Sequence, residues 1–72
     1  MHYKLLVNAI EIYTSSSDET PKFYSKTDLV DFRVQNFKRL ILTFKSLGKN
    51  QEYVFDPITD NQIQELKDFF GI

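Results

Sequence analysis

Residues 29–55 read LVDFRVQNFKRLILTFKSLGKNQEYVF, and apolar side chains alternate with polar ones through three runs of this stretch. The alternating apolar positions are Val30, Phe32, Val34, Leu40, Leu42, Phe44, Tyr53 and Phe55. A period of two residues places such side chains on one face of an extended strand. The connections at 36–38 and 48–50 are short, whereas parallel neighbours need crossovers of about a dozen residues. The stretch therefore predicts an antiparallel meander.

Residues 2–14 fit either a helix or a strand. Apolar side chains recur there at helical spacing, but the segment is rich in β-branched and aromatic residues and has no capping residue before Tyr3. Those features favour a strand, and the near-continuous apolar character is typical of a central strand buried on both faces. One strand over residues 2–14 is therefore the preferred interpretation, with a helix as its alternative.

The next segment, TSSSDETP at 14–21, predicts a solvated loop, because its serines and acids hydrogen-bond locally instead of supporting a ladder. A short strand over 22–26 follows, with Phe23 and Tyr24 on opposite faces. Thr27 and Asp28 then form a tight connection into the meander.

The C-terminal residues predict a helix. Thr59 stands three residues before Gln62, the spacing of a capping box, and Gly71 suits the C-terminal cap. The apolar face of this helix consists of Ile63, Leu66, Phe69 and Phe70. A helix this short is unstable alone in water, so its apolar face must pack on the sheet. We expect Phe69→Ala to cost about 3–5 kcal/mol.

Together these elements predict a single small α+β domain over 1–72, with an antiparallel sheet of four to five strands and one amphipathic helix packed on one face. The chain has no cysteine, which excludes disulfides and thiolate chemistry, and its net charge is −1. That balance argues against whole-surface attraction to nucleic acid or anionic lipid. Apolar runs are too short for a secretory leader or a membrane helix, so a cytoplasmic location is expected.

The sequence predicts no catalytic residue, no cofactor and no metal. His2 is the single histidine and lies at a terminus, where we expect it to be exposed. Gly48 and Gly71 are explained by a turn and a cap, so no glycine-rich phosphate loop is present. The aspartates occupy turns, a strand surface and the first turn of the helix, which does not favour a carboxylate metal site. The chain is therefore not expected to be an enzyme.

Basic residues gather on the predicted hairpin and its neighbour. They are Arg33, Lys38, Arg39, Lys45 and Lys49, and Phe37 projects from the turn between the first two strands. A basic hairpin with an aromatic residue is one way in which single-stranded nucleic acid is bound. However, Asp31 and Glu52 interleave with these residues, and lysines on edge strands also prevent edge-to-edge pairing. A solvated face is the preferred interpretation, and nucleic-acid binding is the alternative.

Several apolar residues are hard to place in one core, because some of them lie on the face opposite the one that the helix would cover. They are Tyr3, Tyr13, Tyr24, Phe37 and Ile41. An exposed apolar patch of this kind usually marks a partner surface, and a free strand edge offers a second route through strand addition. Tyr13 and Tyr24, together with Phe37 and the basic residues, are therefore the candidate partner contacts.

The segments DLVDFRV at 28–34, RLILTF at 39–44, YVF at 53–55 and QIQELKDFF at 62–70 follow one another in a recognisable order. From residue 21 onward this order resembles the second half of a pleckstrin-homology-like domain, a strand meander that ends in one C-terminal amphipathic helix. The segment 2–14 is too short for the further strands of such domains, and TSSSDETP is acidic, unlike a phosphoinositide-binding loop. The resemblance implies a protein-binding scaffold more than a lipid reader.

The sequence thus predicts a non-enzymatic protein-binding or regulatory module, comparable to a stand-alone bacterial or phage adaptor or inhibitor. Its expected partner is a protein. A second copy of the chain is one such partner, and the protein would then be a homodimer. Neither a membrane nor a small-molecule substrate is expected. The alternative is a nucleic-acid-binding module that uses the basic hairpin around residues 33–49.

Overall fold

The computed structural model describes residues 1–14, 20–36 and 38–72. The elements of these ranges are β1 (His2–Leu5), β2 (Ala9–Tyr13), β3 (Lys22–Ser25), β4 (Leu29–Gln35), β5 (Arg39–Ser46), β6 (Lys49–Phe55) and α1 (Asp60–Phe70). They form two three-stranded antiparallel sheets, in the orders β1–β2–β3 and β4–β5–β6. A 3₁₀ helix at Lys26–Asp28 joins the first sheet to the second.

The α+β class and the C-terminal helix are as predicted, but the prediction of one sheet with four to five strands is wrong. The described residues form six strands in two sheets. Residues 2–14 supply two strands instead of one, because a turn at 6–8 folds β1 back on β2. The Leu6 amide donates to the Ala9 carbonyl at 2.8 Å and closes that turn. After β3, the 3₁₀ helix redirects the chain, so β4 begins a separate sheet.

The meander predicted over 29–55 is confirmed as the second sheet. Leu42, on its central strand, lies opposite Phe32 on one side and Tyr53 on the other. The turn between β5 and β6 holds Leu47 at φ 53° and Gly48 at φ 78°. Two successive residues with positive φ give a hairpin turn whose twist matches that of the strands. Gly48 adopts this backbone freely, whereas the Cβ of Leu47 makes it unfavourable.

The core lies between the inner faces of the two sheets and beneath the helix. Its buried members are Ile10, Ile12, Tyr24, Leu40, Leu42, Phe44, Tyr53, Phe55, Ile58, Ile63 and Leu66. Tyr24, predicted to lie on an exposed apolar face, is only 8% exposed, and its ring stacks on Phe44 with the centroids 4.6 Å apart. The reason is the second sheet, which covers the face of the first that a single-sheet fold would leave open.

The helix begins and ends where its caps predict. The Gln62 amide donates to the Thr59 hydroxyl at 3.1 Å, and the Thr59 amide donates to the Gln62 side chain at 3.1 Å. Gly71 is left-handed at φ 73°, and the Ile72 amide donates to the Lys67 carbonyl at 2.9 Å. These bonds satisfy backbone groups that a helix end would otherwise leave open.

The apolar face of the helix is buried unevenly. Ile63 and Leu66 are buried, whereas Phe69 and Phe70 are half-buried. Phe70 contacts the core through Phe44, at a centroid distance of 6.0 Å. Phe69 is farther out, and the ammonium group of Lys26 lies 5.1 Å from its ring centroid. Because the Phe69 ring is only half-buried, we expect Phe69→Ala to cost less than the value of about 3–5 kcal/mol predicted from the sequence.

The face of β4 that the sequence predicts to be buried is only partly buried. Phe32 is half-buried, but Val30 is 53% exposed and Val34 is 45% exposed. A bulge between Leu29 and Asp31 takes Val30 out of the regular alternation. Because β4 is the outermost strand of its sheet, its side chains have a neighbouring strand on one side only.

Candidate functional site

Both sheets are open, so each has two edge strands, β1 and β3 in the first sheet and β4 and β6 in the second. Within the described ranges, the outward edge of β4 makes no backbone hydrogen bond to any other segment. Unpaired amides and carbonyls along a strand edge are a template for pairing with another strand.

The four edges differ in how well they are protected against such pairing. Strands β1 and β3 have four residues each, and β3 follows Pro21. Strand β6 exposes only polar side chains at 49–52, among them Lys49 and Glu52. Short length, proline and charge are the usual protections of an edge. Strand β4 has seven residues and exposes Val30 and Val34, so it is the least protected of the four.

The free edge of β4 has a regular part and an irregular part. The ladder with β5 is continuous from Asp31 to Gln35, and the bulge lies just before it. A bulge twists an edge strand and disturbs pairing locally. The regular five-residue segment is therefore the part of β4 that can accept a further strand.

A charge pair lies on the outer face of this segment. Arg33 and Asp31 form a salt bridge at 3.0 Å, and their side chains are 58% and 42% exposed. Exposed pairs of this kind contribute about 0–1 kcal/mol to stability. Both groups therefore remain available to an incoming strand at little cost.

The basic residues predicted to form a patch are spread over several positions. Arg33, Arg39 and Lys45 share the outer face of the second sheet, Lys38 lies in the β4–β5 turn, and Lys49 begins β6. Phe37, the aromatic member of the predicted patch, lies outside the described residues.

Acidic and apolar side chains share that outer face. Asp31 on β4 and Glu52 on β6 both lie opposite Thr43 on the central strand β5. Asp31 also forms the salt bridge with Arg33. Ile41 lies on the same face and is only 9% exposed. Long side chains beside an apolar residue can cover it in this way. Mixed charge and a covered centre are typical of a solvated face.

Tyr13, a predicted partner contact, lies on the outer face of the first sheet. Its ring stacks on His2 with the centroids 4.8 Å apart, and its hydroxyl donates to the Glu11 carboxylate. The hydrogen bond to this carboxylate raises the pKa of Tyr13. Tyr13 is half-buried, so only part of the side chain is open to a partner.

A groove of about 400 Å³ opens between β3 and β6. Its lining residues are Thr14, Lys22, Phe23, Tyr24, Ser46, Gln51 and Tyr53. The hydroxyls of Tyr24 and Tyr53 hydrogen-bond to each other there. Burial, and then the hydrogen bond to Tyr24, raises the pKa of Tyr53 well above its ordinary value. Among the lining residues that the structure describes there is no carboxylate or imidazole, and a neutral tyrosine is a poor base, so these residues supply no acid–base pair.

Other kinds of site find no support in the part of the chain that the structure describes. Across 1–14, 20–36 and 38–72, no group of three or more His, Cys, Asp and Glu residues is placed to hold a metal ion. In the same ranges, no helix has the length and apolar character needed to cross a membrane.

The edge of β4 contains functional candidates that the sequence pattern assigned to the core. Val30 and Val34 were placed on a buried face because they alternate with polar residues, and alternation does not distinguish an edge strand from a central one. The feature of the sequence that distinguishes this strand is the segment VDFRV at 30–34, in which one acid and one base flank Phe32. No protein-family model, curated protein or solved structure matches the chain.

Proposed function

We propose that the protein is a non-catalytic binding module that takes up an extended segment of a protein partner along the edge of β4. The observation that supports this proposal is the seven-residue edge strand β4, whose outward edge pairs with no other described segment and which exposes Val30 and Val34. In strand addition, backbone hydrogen bonds supply affinity and alternate side chains supply selectivity.

The two faces of β4 define what the added strand would present. On the inner face, Phe32 and Val34 offer apolar surface, whereas Asp31 and Arg33 offer one charge of each sign on the outer face. A complementary strand alternates apolar residues with an acid and a base. A cytoplasmic location and the pleckstrin-homology-like resemblance fit this proposal and stay predictions.

Nucleic-acid binding through Arg33, Lys38, Arg39 and Lys45 is the weaker alternative. Asp31 already pairs with Arg33, and the outer face carries charges of both signs. A phosphate-binding surface would concentrate positive charge instead. Binding to a single-stranded oligonucleotide that weakens steeply with added salt would favour this alternative over strand addition.

Selection from a display library of short peptides that alternate apolar and charged residues tests the proposal. Selected peptides are titrated into the isotope-labelled protein, and their sites are located from changes in backbone amide resonances. We expect these changes along β4. Val34→Lys should weaken binding by about tenfold or more, because a lysine at an edge opposes strand pairing.

The matched control is Val7→Lys, which introduces the same charge at a turn residue that is 87% exposed and lies outside β4. It should leave peptide binding unchanged. Binders that contact other strands and tolerate Val34→Lys, or a library that yields no binder to a chain that is itself monomeric, would refute the proposal.

A further inference from the structure

We infer that the strand added to β4 is β4 of a second copy of this chain, so that the protein forms a two-fold symmetric homodimer. The inference rests on the proposed function and names its partner. The supporting observation is the sequence of the free edge, Val30-Asp31-Phe32-Arg33-Val34. This segment has the same chemistry on either side of Phe32, except that its two charges are opposite in sign.

A two-fold axis through Phe32 pairs Asp31, Phe32 and Arg33 with complementary residues of the other copy. In an antiparallel ladder centred there, Phe32 faces its own copy, and the acid at 31 faces the base at 33 of the other copy. At either end, Val34 meets the bulge residue Val30 of the other copy, which lies outside the regular ladder. Opposite charges and apolar side chains are the cross-strand pairs that stabilise a sheet. The six strands of the two second sheets would then form one continuous sheet.

Neighbouring registers lack this complementarity. A shift of the axis to residue 31 places two Asp31 carboxylates opposite each other, and a shift to residue 33 does the same for two Arg33 guanidinium groups. An axis between two residues places charged side chains opposite apolar ones. The charges of β4 therefore select one register.

The structure leaves this register accessible. The central pairs at 31–33 lie within the regular segment of the edge, beyond the bulge. The Arg33–Asp31 salt bridge within one chain is exposed, so each partner can be exchanged for its counterpart in the other copy without uncovering a buried charge. Val34, which is 45% exposed, would be covered in the same step.

Charge-reversal substitutions at Asp31 and Arg33 test the proposed dimer. Sedimentation velocity is measured over a protein concentration range of about 1 μM to 1 mM, which covers weak to moderate association. We expect the wild-type chain to dimerise. Arg33→Asp gives two acids and Asp31→Arg gives two bases, and each single variant should dimerise about 10- to 100-fold more weakly, because like charges then face each other twice.

Two combinations of these substitutions distinguish the proposed register from a general effect of charge on dimerisation. The double variant D31R/R33D restores an acid opposite a base and should dimerise like the wild type. Mixing the two single variants should yield a heterodimer, since every base of one chain then faces an acid of the other. Thermal unfolding of each chain followed by circular dichroism shows that the variants are folded.

The outcomes distinguish this inference from the function on which it rests. A wild-type chain that stays monomeric throughout, while library peptides bind β4 and are lost in Val34→Lys, overturns the homodimer alone. A monomer that binds no peptide overturns both. A dimer that Arg33→Asp and Asp31→Arg leave unchanged, or single variants that do not associate when mixed, also overturns the inference.

Discussion

Replacement of Leu66 by alanine measures how much the helix contributes to the domain. Leu66 is fully buried between the helix and the sheets. Truncation of a buried leucine to alanine costs about 2–5 kcal/mol, and a closed site such as this one relaxes little around the cavity. We expect a loss of about 3 kcal/mol for Leu66→Ala. A 72-residue domain has a free energy of unfolding of about 4–11 kcal/mol, so this one side chain supplies a large fraction of it.

The loss corresponds to a fall in Tm of about 12–24 °C for a domain of this size. Urea unfolding followed by far-ultraviolet circular dichroism gives the free energy, and an unchanged slope against urea shows that the denatured state is unaltered. Asn61→Ala is the matched control, because Asn61 lies exposed on the same helix and alanine favours helix formation. A loss below about 1 kcal/mol for Leu66→Ala would refute the packing described for the helix.

Three further changes test separate features of the fold. Phe69→Ala should cost about 2 kcal/mol, less than Leu66→Ala, because the ring is half-buried; the same urea titration measures the order of the two. The free energy of unfolding should be constant up to about pH 10 and then fall. The pKa of Tyr53 is raised in the folded protein, so the unfolded chain loses its phenolic proton at a lower pH than the folded chain does. Urea titrations in that range should show a smaller fall for Tyr53→Phe, and an equal fall in both proteins would contradict the assignment. Leu47→Asn should raise stability by about 0.5–1 kcal/mol, because asparagine tolerates the left-handed backbone better than leucine; a lower Tm would show that the Leu47 side chain makes stabilising contacts.

The helix and the second sheet could be predicted from the sequence because their signals are local. The capping box of Thr59 and Gln62 and the glycine at 71 mark the two ends of the helix without reference to the rest of the chain. The strands of the second sheet follow from alternation and from the short connections between them.

The division into two sheets could not be predicted in the same way. The turn at 6–8, Leu6-Val7-Asn8, contains no glycine or proline, and its apolar residues extend the pattern of the flanking strands. Its 87% exposed Val7 is apparent only in the fold. The burial of Tyr24 depends on the second sheet, and the edge position of β4 depends on which strands pair, so both are tertiary properties.

Strands that are neighbours in each sheet are also neighbours in the sequence. Every described ladder therefore closes over a short length of chain, and short closures lose little conformational entropy. Each three-stranded sheet can form its hairpins locally before the two sheets, which the 3₁₀ helix connects, pack against each other. Refolding speed should then be governed by hairpin closure within each half, whereas a fold whose strands pair across the whole chain must first complete a slower long-range search.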